Sequence, residues 1–143
     1  MLLCLISDCP VLSALEGMWF VQVFISVFFA ILFLQSGIDK VSDRKGNLEW
    51  LKGHFAESPL AGMVPLLLTV ITLAELLAGS ISAIGVVEVV IYRSFCFSFI
   101  GTTLATVALV MLFLGQRLAK DYEGAGNLVP YFIVAVINLY FLV

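Results

Sequence analysis

The sequence predicts an all-α integral membrane protein, an antiparallel up-and-down bundle of four transmembrane helices. Two observations lead there. The 143 residues are 62% hydrophobic and only 12% charged, against about 25% charged in an ordinary soluble domain, so a water-soluble fold of this length could not hide its apolar surface. Four stretches are also long enough to span, since a helix rising about 1.5 Å per residue needs roughly 20 mainly apolar residues to cross a hydrocarbon core of about 30 Å. Each stretch is much longer than a barrel strand and lacks its alternating pattern, which leaves helices as the way to satisfy the backbone in lipid.

Residues 1–16 are moderately apolar, lack the Lys or Arg of a signal-peptide n-region and are interrupted by Asp8 and Pro10. They are expected to be a mature segment lying at the membrane interface. The first span, 17–36, carries no charge and is filled by Phe20, Phe24, Phe28, Phe29 and Phe33 among others. Between 46 and 58, Leu48, Trp50, Leu51 and Phe55 alternate with Glu49, Lys52 and His54 in the manner of a short amphipathic surface helix, with Asn47 as its cap. Ser58-Pro59 reads as N-cap and first turn of the second span, 59–85, with Pro65 two turns in as a source of a kink. The third span, 94–115, is uncharged. A polar turn, 116–126, leads to the fourth, 127–143, with Pro130 near its start.

Orientation follows from the basic residues in the connections. Lys40, Arg44, Lys45, Lys52, Arg117 and Lys120 lie on one side, and Arg93 alone lies on the other. The positive-inside rule then puts the two larger loops in the cytoplasm and both termini in the periplasm. Nothing is basic enough to suggest nucleic acid as a partner. The lipid bilayer is the first partner, with another membrane protein or a second copy the next.

Glu75 is the one ionisable residue in the interior of a span, a placement that costs about 2.5–3.5 kcal/mol on insertion scales and marks an inward-facing or functional group. Thr72, Glu75, Gly79 and Ser82 share one helical face. Gln22, Ser26 and Ala30 share another, and Gly101 and Ala105 allow close packing of the third span. Depth counting sets Glu75 level with Ser26 and Thr103 and within a turn or two of Asn138, so these residues are expected to form one polar layer. That layer reads as structural glue, as part of a cavity for a quinone or other lipid-like ligand, or as a proton or substrate pathway. Cys4, Cys9 and Cys96 fall on the outer side, where a disulfide or redox role stands against the plainer role of small apolar side chains. His54 is the single histidine, which excludes a metal or haem site built on histidines of this chain, and no catalytic set is recognisable.

Four features resemble the DoxX family of small bacterial membrane proteins: Ser36-Gly37-Ile38-Asp39-Lys40 closing the first span, Ala74 to Gly79 in the second, Gly85 beyond it, and Gly115-Gln116-Arg117 after the third. Lys120-Asp121-Tyr122 is similar to the branch found in Bacteroidetes-type bacteria. Arg93 departs from the family pattern, in which a Thr-Arg pair follows soon after the glycine matching Gly85. The resemblance implies a place in the bacterial inner membrane and association with membrane redox complexes, with Gly37, Lys40, Gly79, Gly85, Gln116 and Arg117 as motif positions. The chain then reads as an accessory subunit, more a partner than an enzyme in its own right, with a quinone- or lipid-sized pocket near Glu75 and no cofactor bound within the chain otherwise. A small proton-coupled transporter and a membrane thiol-redox protein are the alternative readings.

Overall fold

The computed structural model describes residues 10–142, with side chains from Gly17 onward. Among the described residues five α-helices follow one another: α1 (Pro10–Ser42), α2 (Arg44–His54), α3 (Val64–Tyr92), α4 (Cys96–Leu118) and α5 (Tyr122–Leu142), with a 3-10 turn at Ala61–Met63 leading into α3. Four segments, Gly17–Ser42, Ala61–Tyr92, Cys96–Leu118 and Tyr122–Leu142, are long and apolar enough to cross a membrane. Phe24, Ile31, Leu73, Leu77, Ile84, Val110 and Ile137 all point outward and exposed. An apolar exterior on this scale belongs in lipid, and the protein is an integral membrane helical bundle.

The helices pack as an up-and-down array. Gly37 meets Leu76 and Gly79 meets Leu34, which makes α1 and α3 antiparallel. Gly85 meets Ser98 and Gly101 meets Ser82, so α3 and α4 are antiparallel too. Asn138 bonds to Thr102, placing α5 against α4. The buried face of α3 is a helical stripe, Val64, Leu68, Thr72, Glu75, Ala78, Gly79, Ser82, Gly85 and Val89. Its small residues matter because helices in lipid associate through close contact, not through escape from water. A Cβ on Gly79 would stand 2.7 Å from the Leu34 backbone nitrogen, and one on Gly101 would stand 2.9 Å from that of Ser82. Phe29 and Phe33 of α1 fill the centre against Ala78, Ala105, Ala108, Leu109 and Ala135, a pairing of large with small side chains that leaves little void.

Several boundaries differ from the sequence reading. The first helix runs on to Ser42, past the expected end at 36, and α3 reaches Tyr92 where 85 was expected. Ser58-Pro59 does not begin a span. The Ser58 hydroxyl instead donates to the Phe55 carbonyl and accepts from the Leu60 N–H, closing a turn. Pro65 then occupies the first turn of α3, where its missing N–H costs nothing and produces no kink. The surface helix α2 is present, but its cap is Asp43, whose carboxylate accepts from the Gly46 N–H at 3.0 Å; Asn47 lies inside the helix. The polar turn shrinks to residues around Lys120, and α5 begins at Tyr122. Residues 1–9, with Cys4 and Cys9, lie outside the described residues, and the interfacial segment expected over 1–16 is described only as the helical backbone from Pro10.

Candidate functional site

Glu75 is buried as the stripe on α3 requires, but its partners come from an unexpected place. Because α1 continues for six residues beyond Ser36, Lys40 stays on the same helix face one turn further on and folds back toward the bundle. Its Nζ lies 2.9 Å from Glu75 Oε2, donates to Glu75 Oε1 at 3.1 Å and donates to Ser36 Oγ at 2.7 Å. The Ser36 hydroxyl donates in turn to Glu75 Oε1 at 3.1 Å. Glu75 is 1% exposed and Lys40 18%, so the carboxylate is committed to the interior while the ammonium keeps an edge toward the headgroups.

The single polar layer expected around Glu75 is not formed. Ser26 pairs with Ser98 at 3.0 Å, nearer the opposite end of the bundle. Asn138 Nδ2 donates to Thr102 Oγ1 at 2.7 Å. Thr103, chosen from depth counting, is partly exposed and donates to the Phe99 carbonyl of its own helix. The buried threonine is its neighbour Thr102, which follows Ser98 and Gly101 at helical spacing. Thr72 is buried but satisfied within α3 through the Leu68 carbonyl. Gln22 is 1% exposed, and both its amide atoms lack a partner among the described residues. The polar groups are thus distributed along the bundle, with the Phe29 and Phe33 core between the Ser26–Ser98 pair and Glu75.

Against the Lys40–Glu75 pair, at the end of the bundle that holds the basic loops, lies an apolar chamber of about 260 Å³. Its walls are Leu67, Leu68 and Ile71 of α3 and Met111, Leu112 and Leu118 of α4, and α2 with Phe55 forms the lid. The lid is tied down on two sides. Arg44 donates to Thr69 Oγ1 at 2.7 Å, and His54 Nε2 stands 2.9 Å from Gln116 Oε1 and 3.7 Å from Asp121 Oδ2. The His54 ring also stacks on Trp50 with centroids 4.7 Å apart. Lys40, His54 and Gln116 bring polar groups to the chamber walls, so an apolar volume ends in a small polar cluster, the usual build of a site for an amphiphilic small molecule.

The motif positions sort by this geometry. Gly37, Gly79 and Gly85 are close approaches between helices, whereas Lys40 and Gln116 border the chamber. Arg117 lies over the Tyr122 ring at 4.7 Å, bracing the turn into α5. At the other end Arg93 adopts a left-handed conformation at φ 54° that ends α3 and sits 3.6 Å from the Trp19 ring centroid. Cys96 is exposed at the start of α4 and far along the bundle from Glu75. Glu75, Lys40 and Gln116 stand out singly in the sequence, whereas Ser36 as a partner of the Lys40–Glu75 pair and His54 as the latch do not. The i, i+4 relation of Ser36 to Lys40 was the available signal. Comparison with protein-family models, with curated proteins and with solved structures finds no match for this chain.

Proposed function

We propose that this membrane protein is a DoxX-like accessory subunit of a redox or respiratory complex in a bacterial inner membrane, and that its chamber holds a quinone- or lipid-sized ligand. The observation that carries this reading is the chamber itself, apolar along its walls and edged by Lys40, His54 and Gln116. The redox setting comes from the motif resemblance. The excess of Lys and Arg in the two larger loops supports a chamber in the cytoplasmic leaflet and periplasmic termini. A proton carrier would need Glu75 free to load and release its proton, whereas Lys40 and Ser36 hold it in an ion pair. A thiol-redox role finds no support in the exposed Cys96.

The test is genetic and uses a chamber-filling variant. Deleting the gene lowers quinol-supported oxygen uptake by host membranes, and the parent chain restores it. Leu67→Trp, placed on a half-buried wall residue, accumulates normally without restoring uptake. Unchanged uptake in the deletion strain overturns the redox assignment.

A further inference from the structure

We infer that the chamber selects an amphiphile with a neutral polar head, taken up from the bilayer, in preference to one with a phosphate head. The inference rests on the reading of the chamber as a ligand site and concerns which chemistry that site accepts.

Charge is the first argument. Lys40 is the only Lys, Arg, Asp or Glu among the lining residues, and its ammonium is already held by Glu75 at 2.9 Å and Ser36 at 2.7 Å. A phosphate head would have to draw Lys40 away and leave a carboxylate, 1% exposed, without its counter-charge. Attraction and loss then cancel in a medium where unpaired charge is costly. A neutral head leaves the pair intact.

Size is the second. About 260 Å³ lies just under the range of roughly 300–1,000 Å³ typical of small-molecule pockets. It accommodates one ring or part of one chain, with any remaining tail running out between the exposed apolar side chains.

The polar edge is the third. His54 Nε2 stands 2.9 Å from Gln116 Oε1, and both side chains border the chamber. They offer a neutral head hydrogen-bonding partners without drawing Lys40 from Glu75.

Trp50 lines the chamber and stacks on His54, and the chain has only two tryptophans, so Trp19→Phe leaves a single reporter beside the site. The purified full chain is titrated in lipid nanodiscs with two brominated single-chain probes of equal length, one a free alcohol and one its phosphate monoester. Saturable quenching of Trp50 by the alcohol is expected, with the phosphate ester at least about ten-fold weaker. His54→Phe retains the stacked ring and Gln116→Leu retains the bulk at that wall. Each lowers alcohol affinity about ten-fold and narrows the preference for the alcohol over the phosphate ester, with helical content and elution volume checked for both. Equal or tighter binding of the phosphate ester overturns the selectivity and leaves the ligand site standing. Absence of saturable quenching by either probe in the folded parent protein overturns the ligand site itself, and the inference with it.

Discussion

Removing Lys40 is the perturbation that bears most directly on why Glu75 is tolerated in a membrane span. In Lys40→Met the carboxylate, 1% exposed, keeps only the Ser36 hydroxyl as a donor. Breaking a buried ion pair from one side costs about 3–5 kcal/mol. The lower end applies because Lys40 is itself 18% exposed and the orphaned carboxylate can take up a proton, so about 3 kcal/mol is expected. Glu75→Leu strands a lysine that can extend to the headgroups, and costs less, about 1.5–2 kcal/mol. The double variant Lys40→Met/Glu75→Leu buries no charge and loses mainly the bond from Ser36, so it costs about 1 kcal/mol. The singles then overshoot the double, with a coupling of at least about 3 kcal/mol. Unfolding in mixed micelles by increasing the mole fraction of sodium dodecyl sulfate, followed by circular dichroism, reads all four proteins. Single-variant losses that add to within about 0.5 kcal/mol would refute the pair as a coupled element.

Three further outcomes are expected. Gly79→Val forces α1 away from α3, because its Cβ meets the Leu34 backbone and not a flexible side-chain end, and lowers stability by about 2 kcal/mol or more in the same assay; Gly53→Ala, with open space around it, gains up to about 1 kcal/mol from helix propensity. Thr102→Val removes the acceptor for Asn138 and costs about 1 kcal/mol, whereas Thr103→Val, whose hydroxyl serves only its own helix, falls within about 0.5 kcal/mol of the parent; equal losses would restore the single-layer arrangement. A reporter active only in the cytoplasm, fused after Val143, stays silent if the basic loops are cytoplasmic, and strong activity there reverses the orientation.

The spans were legible in the sequence because length and apolarity are properties of the chain alone, and the inward face of α3 was legible because Thr72, Glu75, Gly79 and Ser82 recur at helical spacing. The ends were harder to read. Both Ser58-Pro59 and Pro65 carry helix-start chemistry, and only tertiary context selects the second, with Ser58 spent on a turn. The partner of Glu75 was hidden by treating the first charges after Ser36 as the end of a span; a lysine can remain helical and inside when an opposing carboxylate receives it. Depth counting misplaced the threonine by one residue, which on a helix is a rotation of about 100°. The periodicity of Ser98, Gly101 and Ala105 points to Thr102 without the structure. The chamber was not legible because it needs α2 folded over α3 and α4, a long-range arrangement fixed by His54 and Arg44.

Native mass spectrometry of the protein released from its own membranes tests the central claim most directly, since it asks whether the chamber is occupied. The parent chain is expected to carry a single neutral amphiphile that survives detergent exchange and is lost in Leu67→Trp, with both proteins equally helical. Identical spectra for the two, with no retained adduct or the same lipid bound to each, would contradict the assignment of the chamber as a ligand site.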